Sequence, residues 1–307
     1  MMDAALYPVV YLATVRLLMH SMGMLTFGFW ILLNSLITLL QLFNVNSGVA
    51  NMGVTIIQRI SAAVVNKDTQ QINDLINSTL HITLALFILI TGIGFFLSFV
   101  VVHYGWWGTD KLQGLDVASC ILLATLFAGL KYFDQVFQSI IRAYEHFRLS
   151  SILNMINRFG LLAITLALAI CKYSLLWILW SNVVFVIAYL LIQLLCIKRL
   201  IPAYRPALSE DRKLYRQLLH FNLWPWLQSI IIVFTFQTDR FWVSSYLGLK
   251  VVSAYGLVST MFNHIHMIFT AMILWVLPRI AIMTSKGRDA ARLYYNVRAV
   301  ALGFIIV

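Results

Sequence analysis

The stretch FNLWPWLQSIIIVFTFQTDRFWVSSYL, residues 221–247, is apolar over most of its length and carries an acid beside a base, Asp239 and Arg240, towards its end. About 20 apolar residues are enough to cross the roughly 30 Å of hydrocarbon in a bilayer, because each residue of a helix advances it by about 1.5 Å. The stretch is therefore long enough to form a membrane helix. Charged side chains are costly at membrane depth and point to function or to pairing, so Asp239 and Arg240 are the first candidate site residues.

The composition of the whole chain indicates a membrane protein with several spans. Of 307 residues, 61% are hydrophobic and 11% are charged, whereas charged residues make up about a quarter of an ordinary soluble protein. Apolar runs of spanning length lie at about 4–20, 24–46, 79–102, 116–138, 150–171, 174–197, 218–247 and 251–277. The sequence thus predicts an all-α polytopic membrane protein with eight membrane helices and the start of a ninth near Arg298. Because the first run is short and the last stops at Val307, we expect a fragment, or a chain truncated at both ends.

The connections between the runs explain the formal charge of +11. Counted without Arg59, fourteen Lys and Arg residues lie in the connections after the second, fourth, sixth and eighth runs, and three lie in the alternate connections. Cytoplasmic connections of membrane proteins are enriched in these residues. We therefore expect the basic connections in the cytoplasm and Lys250 outside. Since this bias accounts for the charge, nucleic acid is not expected as a partner.

The longest basic connection, residues 198–216, holds six of these basic residues and two prolines. We interpret it as a cytoplasmic loop between an N-terminal lobe of six helices, residues 1–197, and a partial C-terminal lobe, residues 217–307. Its charges are equally suited to contacting anionic lipids. A weak repeat that relates Arg16 to Arg240 supports two halves, a common transporter design with the cavity between them.

Polar side chains share one face of the run that contains the charged pair. Gln228, Thr235 and Asp239 point the same way, because a helix returns nearly to its starting angle after eleven residues and to within about 40° after four. Such a face indicates a cavity or a partner helix rather than lipid. Asp239 is either a coupling-ion or proton site, or half of a structural pair with Arg240 or with a neighbouring helix.

Asn263 and His266 belong to a second polar face, in the run 251–277. His266 is suited to relaying protons near pH 7, and a packing histidine held by hydrogen bonds is the alternative. His264 lies two residues away and points about 160° from His266, which argues against a shared metal ion. No metal site is predicted.

A polar ridge follows the fourth run towards its cytoplasmic end, formed by Lys131, Asp134, Gln135, Gln138 and Arg142 at spacings of three or four. Lys131 and Asp134 are placed to neutralise each other. This pairing leaves Arg142 as the free positive charge near the inner mouth. We expect Lys131 and Gln138, with the polar residues of the two runs above, to line a cavity.

No motif in the sequence indicates catalysis. It contains no nucleophile elbow, phosphate-binding loop or metal-ligand cluster, and the connections predicted outside are too short for a catalytic domain. The three cysteines, Cys120, Cys171 and Cys196, stand singly in apolar runs without metal-binding spacing. We expect neither an enzyme nor a bound cofactor.

Several short motifs resemble a family of transporters. They are Asn51-Met52-Gly53 ahead of Arg59, residues 237–241 ahead of Gly248, Ala254-Tyr255-Gly256 and Leu277-Pro278-Arg279. In these motifs, and over most of its length, the chain resembles the polysaccharide-exporter branch, with the O-antigen flippases, of the multidrug/oligosaccharidyl-lipid/polysaccharide (MOP) superfamily.

The resemblance implies a two-lobed bundle of twelve or more helices, of which this chain would hold an incomplete second lobe. It further implies alternating-access flipping of an undecaprenyl-diphosphate-linked oligosaccharide, an O-antigen or other surface polysaccharide repeat unit, from the cytoplasmic to the outer leaflet. The place would be a bacterial inner membrane. The partners would be the lipid-linked oligosaccharide and membrane lipids, with a glycan polymerase and glycosyltransferases as further candidates.

The diphosphate of such a substrate requires positive charge, and arginine forms bidentate contacts with phosphate. As a hypothesis, Arg16, Arg59, Arg142 and Arg240 contact the headgroup in turn. Aromatic side chains of the seventh run, among them Trp242, are available to stack on sugars or to anchor the helix at the interface.

Two alternatives stay open. The first is a cation-coupled drug or metabolite exporter of the same superfamily, in which Asp134 and Asp239 bind the cation. Four basic residues within the runs, or five with Arg59 of the connection 47–78, stand against two acids in the interiors of the runs, Asp134 and Asp239. This balance favours an anionic cargo over this reading. The second is a membrane scaffold, or a fragment of a glycan-assembly complex, that does not transport.

Overall fold

The computed structural model describes residues 14–41, 69–112, 114–202 and 223–274, together with Tyr204 and several single positions from 57 to 66. Within these ranges the chain is almost entirely helical and contains no β-strand. The predicted all-α polytopic class is confirmed.

Each of the eight predicted runs corresponds to a helix. The described part of α1 covers residues 14–22. The following helices are α2 (Met24–Leu40), α3 (Thr69–Tyr104), α4 (Val117–Ala143), α5 (Phe147–Ile170), α6 (Leu175–Leu200), α7 (Leu223–Leu247) and α8 (Leu249–Leu274), and a 3-10 helix (Trp106–Lys111) follows α3.

Four of the helices, α3 to α6, are long and apolar enough to cross a membrane. The protein is therefore a multi-pass membrane protein. At 36 residues, α3 is roughly 54 Å long and exceeds the hydrocarbon thickness of a bilayer. The helix is therefore longer than one bilayer crossing requires.

The start of α4 is set by its N-cap, Asp116. This carboxylate accepts a hydrogen bond from the Ser119 hydroxyl at 2.6 Å and another from the Ser119 backbone N–H at 3.0 Å, which satisfies one of the free N–H groups at the helix start. These bonds, first that of the hydroxyl and then that of the backbone, lower the pKa of Asp116 below its usual value.

Two tight turns make α4, α5 and α6 antiparallel neighbours. Glu145 after α4 and Lys172 after α5 adopt left-handed backbone conformations, with φ of 61° and 59°. After α5 the Tyr173 N–H then donates to the Leu168 carbonyl at 3.0 Å, as in a Schellman motif. Because the turns are so short, the polar faces of consecutive helices are brought together.

The chain separates into two compact units, residues 17–255 and residues 1–16 with 256–307, and the packing described here lies within the first. There α4 packs on α2, α3 and α6, and α5 packs on α6. The predicted lobe boundary at 198–216 falls mostly outside the described residues. The division into two lobes stays a prediction.

Connections that the charge pattern places on the same side of the membrane lie together. At one end of the bundle, the Ser244 hydroxyl near the end of α7 donates to the Trp107 carbonyl at 2.9 Å. At the other end, the Tyr204 hydroxyl beyond α6 donates to the Asn77 side-chain oxygen near the start of α3 at 2.9 Å. The alternation of ends is consistent with the predicted topology, whereas the end that faces the cytoplasm stays a prediction.

Gly28 allows α2 to approach the start of α8 closely. A Cβ atom at this position would fall well inside contact distance of the Leu249 carbonyl oxygen, whereas a Cβ at Gly92, in the middle of α3, would meet nothing within 4 Å. We expect Gly28→Ala to destabilise the protein by about 1–3 kcal/mol, because the backbone of Leu249 would have to move. Thermal unfolding of the detergent-solubilised protein, followed by size-exclusion chromatography, measures this.

Gly92→Ala is the matched control. The same methyl group is added to a helix interior, where alanine is the better helix former by up to about 1 kcal/mol. Unfolding temperatures that are equal for the two variants would contradict the close approach at Gly28.

Candidate functional site

The polar ridge predicted on α4 is part of a buried hydrogen-bond network that joins three helices. We call it the α4 network. Its members are Lys131, Asp134, Gln138 and Arg142 of α4, Ser150 and Asn157 of α5, and Tyr189 and Gln193 of α6.

The charged pair lies near the middle of α4. Lys131 Nζ is 3.4 Å from Asp134 Oδ2 and donates to Asn157 Oδ1 at 3.0 Å. Asn157 Nδ2 donates to the same carboxylate oxygen at 2.9 Å, and Gln193 Nε2 donates to Asp134 Oδ1 at 2.9 Å. The pairing of Lys131 with Asp134 expected from their spacing is observed, and both carboxylate oxygens have donors from other helices.

The network continues towards the predicted cytoplasmic end of α4. Gln193 Nε2 and Gln138 Nε2 donate to the Tyr189 hydroxyl at 2.9 Å and 2.7 Å. Ser150 Oγ donates to Gln138 Oε1 at 2.6 Å. Hydrogen bonds therefore connect the middle of α4 to its last turn.

Arg142 closes the network at that end. Its Nε donates to Ser150 Oγ at 2.9 Å, because the tight turn between α4 and α5 brings Ser150 opposite Arg142. The serine hydroxyl is neutral and leaves the positive charge of the guanidinium in place, so the predicted role of Arg142 as a positive charge near the inner mouth stays a prediction. A guanidinium has five N–H donors, however, and this bond uses one of them.

Burial makes the network energetically demanding. The Gln193 side chain is 0% exposed and Asp134 is 6% exposed. Buried polar groups destabilise a fold unless they are hydrogen-bonded, and a buried charge does so more strongly unless it is paired. The network therefore fixes how α4, α5 and α6 pack against one another.

The sequence analysis missed the four members from α5 and α6. Ser150 and Asn157 stand among other polar residues in the first half of α5, and Tyr189 and Gln193 stand among apolar residues of α6, so neither pair was conspicuous in the sequence. Their spacing was the available clue: Ser150 and Asn157 are seven residues apart, and Tyr189 and Gln193 are four apart. Both spacings place a pair on one helical face.

The charged pair of α7 forms a separate part of the site. Asp239 accepts hydrogen bonds from the Arg240 backbone N–H at 2.8 Å and from the Tyr255 hydroxyl of α8. The Arg240 side chain is 5% exposed and donates from a terminal nitrogen to Ser35 Oγ of α2 at 2.9 Å. Adjacent residues on a helix do not face each other, so the acid contacts α8 and the base contacts α2.

The other predicted site residues lie apart from these contacts. Arg16 is exposed and belongs to the other compact unit, and Arg59 is half-buried. Thr235 is exposed, and its hydroxyl donates to the Ile231 carbonyl of its own helix at 2.7 Å. The side chains of Gln228, Asn263 and His266 lie outside the described residues, so their predicted roles stay predictions.

A model of the polysaccharide biosynthesis protein family matches residues 9–283. The chain belongs to this family. The polysaccharide biosynthesis family comprises polysaccharide and O-antigen flippases of the MOP superfamily, so the resemblance carried by the short motifs is confirmed. No curated protein and no solved structure matches the chain.

The match covers every helix from α2 to α8. The α4 network and the charged pair of α7 are therefore both features of a polysaccharide biosynthesis family chain. Members of this family are generally transporter-like membrane proteins, in agreement with the multi-pass architecture.

Asp134→Leu tests whether Lys131 and Asp134 each offset the free-energy cost of burying the other's charge. The substitution leaves the Lys131 ammonium buried without its carboxylate, so we expect a loss of about 3–5 kcal/mol of stability. The double variant Lys131→Met/Asp134→Leu removes both charges and is expected to recover a large part of this loss. Thermal unfolding of the three purified proteins measures the difference.

Asp116→Ala is the control for losing a carboxylate at the edge of the same helix. It removes a cap, which costs about 1 kcal/mol, and it leaves no buried charge behind. A double variant no more stable than Asp134→Leu alone would show that Lys131 and Asp134 do not compensate each other.

Proposed function

We propose that the protein flips an undecaprenyl-diphosphate-linked oligosaccharide from the cytoplasmic to the outer leaflet of a bacterial inner membrane by alternating access. The cargo is an O-antigen or other surface polysaccharide repeat unit. Membership in the polysaccharide biosynthesis family supports a role in handling polysaccharide in the membrane. The lipid-linked form of the cargo is inferred from the charges of the membrane helices.

The observation that carries the proposal is that Asp134 and Asp239, the acids in the interiors of the runs, already accept hydrogen bonds from the protein. Asp134 accepts hydrogen bonds from Lys131, Asn157 and Gln193, and Asp239 accepts them from the Tyr255 hydroxyl and a backbone N–H. A coupling cation at either carboxylate would have to displace donors of the protein itself. The basic residues of the runs outnumber the acids, which favours an anionic cargo such as a diphosphate.

Arg142 is the first proposed contact for the diphosphate. It lies in the last turn of α4, at the predicted cytoplasmic end, is half-buried and is oriented through Nε by Ser150. Its terminal nitrogens are then available for bidentate contact with a phosphate, a geometry that lysine does not offer.

Arg16, Arg59 and Arg240 are proposed as later contacts along the same path. Arg240 is buried against Ser35 of α2, so a substrate could reach it only when α2 and α7 separate. Alternating access supplies such a movement. Asp134, Asp239 and His266 stay as proposed coupling positions, and any coupling ion or proton at the two acids competes with the hydrogen bonds above.

A cation-coupled exporter of drugs or metabolites is the second candidate function. It is favoured by the two acids and by the polar face of α7, and it predicts transport that depends on Asp134 or Asp239 and on a proton or sodium gradient. Glycosyltransferases and a glycan polymerase are expected as partners of the protein if it has the first function, and not if it has the second.

Arg142→Gln tests the proposed diphosphate contact. Because a hydrogen bond to a charged group contributes about 1.5–3 kcal/mol, we expect flipping of a fluorescent lipid-linked oligosaccharide into the outer leaflet of proteoliposomes to fall by at least about tenfold. Glutamine keeps a donor for Ser150 and removes the positive charge.

Arg148→Gln is the matched control, since Arg148 is exposed in the first turn of α5, six residues from Arg142. It is expected to flip at the normal rate. Equal flipping by the two variants, at equal amounts of folded protein, would rule out the contact at Arg142. Gradient-driven efflux of a cationic drug that is lost in Asp239→Asn would favour the second function instead.

A further inference from the structure

A groove of about 960 Å³ lies where the end of α3, the 3-10 helix and the end of α7 meet α2. We call it the aromatic groove. Its lining includes Trp106, Trp107, Phe241, Trp242 and Tyr246, together with Thr238, Ser244 and Ser245. The volume and the mixture of aromatic rings with a few hydroxyl groups are typical of sites for small ligands.

Part of the groove lining is formed by Trp107, which is held by contacts with α7. Trp107 has a left-handed backbone, with φ of 64°, a conformation that is unfavourable for a bulky residue and is found at sites that bind ligands. Its carbonyl accepts a hydrogen bond from the Ser244 hydroxyl at 2.9 Å. Its ring packs on Phe241 with 5.1 Å between centroids. The strained turn is thus held by α7 itself.

Another part of the lining presents flat aromatic surface. The rings of Trp242 and Tyr246 are stacked at 5.9 Å with an angle of 9° between their planes. Trp242 is 59% exposed and Tyr246 is 76% exposed. Both rings can therefore receive a ligand face to face without a rearrangement of the backbone.

The electrostatic character of the lining indicates which part of a substrate the groove fits. Among the described residues that line it, none carries a charge, so the groove offers no positive charge to a diphosphate. Among the described residues, neither the buried Thr238 hydroxyl nor the side-chain oxygen of the adjacent Gln237 has a hydrogen-bond partner. The groove is thus suited to a neutral ligand that carries hydroxyl groups.

A sugar meets these requirements better than an isoprenoid or acyl chain. The C–H groups on one face of a pyranose carry partial positive charge and stack on the negative face of an aromatic ring. Its hydroxyl groups are suited to the hydroxyl-bearing residues of the lining, Thr238, Ser244 and Ser245, whereas a hydrocarbon chain offers these groups no hydrogen bond. Trp242 and Tyr246 would anchor at the membrane interface in either case.

We propose that the aromatic groove is a saccharide site, which binds neutral sugar residues of the lipid-linked glycan on the outer side of the membrane. The proposal rests on the proposed function, and it adds a subsite for the glycan to the arginine contacts for the diphosphate. The groove lies at the end of the bundle that the charge pattern places outside. The sugars of a flipped substrate emerge at this end.

Saturation-transfer NMR on the full-length protein in lipid nanodiscs tests the site. The probes are neutral di- to tetrasaccharides of hexoses and N-acetylhexosamines, with geranylgeraniol as the isoprenoid probe. We expect saturable binding of at least one saccharide that geranylgeraniol does not displace. Trp242→Leu and Thr238→Val are each expected to weaken that binding by about tenfold.

Trp177→Leu is the matched control, because Trp177 is 60% exposed near the start of α6 and is absent from the groove lining. It should leave saccharide binding unchanged. The proposal is overturned if no saccharide binds, if Trp242→Leu and Trp177→Leu behave alike, or if geranylgeraniol binds and excludes the sugars.

Flipping of the fluorescent lipid-linked oligosaccharide separates this proposal from the proposed function. Normal flipping by a protein that binds no saccharide would overturn the groove as a saccharide site and leave the function standing. Saccharide binding that depends on Trp242, in a protein that does not flip the lipid, would support the site and overturn the function.

Discussion

The packing of the N-terminal helices depends on one buried carboxylate, Asp134. In a low-dielectric interior a buried carboxylate strongly destabilises the fold unless it is paired and hydrogen-bonded. Lys131, Asn157 and Gln193 provide these contacts to Asp134. Those donors come from α4, α5 and α6, so the three helices have a single register in which the carboxylate is satisfied. Apolar packing alone would allow neighbouring registers at little cost, since lipid and leucine side chains are equally apolar.

The other end of the bundle is organised by close backbone approach rather than by charge. Gly28 lets α2 reach the start of α8, and the Ser244 hydroxyl ties α7 to the strained turn at Trp107. Small residues serve this purpose in membrane proteins because they allow backbones to pack tightly. The two ends thus differ in kind: a polar network fixes α4 to α6, and small residues with hydroxyl groups fix α2 and α7 around the aromatic groove.

This division gives a physical basis to the proposed handling of a lipid-linked glycan. A substrate with a charged diphosphate and a neutral glycan needs two kinds of surface. In the proposed function the arginines supply the first: Arg142 is oriented by Ser150, and Arg240 is covered by α2. The uncharged groove at the end of α7 is the proposed second surface. Asp134 and Asp239 already accept hydrogen bonds from groups of the protein.

Local properties of the chain determined the class of fold. The apolar runs predicted the helices, and the spacing of Lys131, Asp134, Gln138 and Arg142 predicted the polar face of α4. Hydrophobicity and helical periodicity can be recognised from a few turns of sequence. Tertiary structure decided the partners. Asp134 receives donors from residues 23 and 59 positions away, and Arg240 contacts a serine 205 positions away. The free-energy cost of a buried polar group depends on which helix lies opposite it, and that choice is made by the packing of the whole bundle.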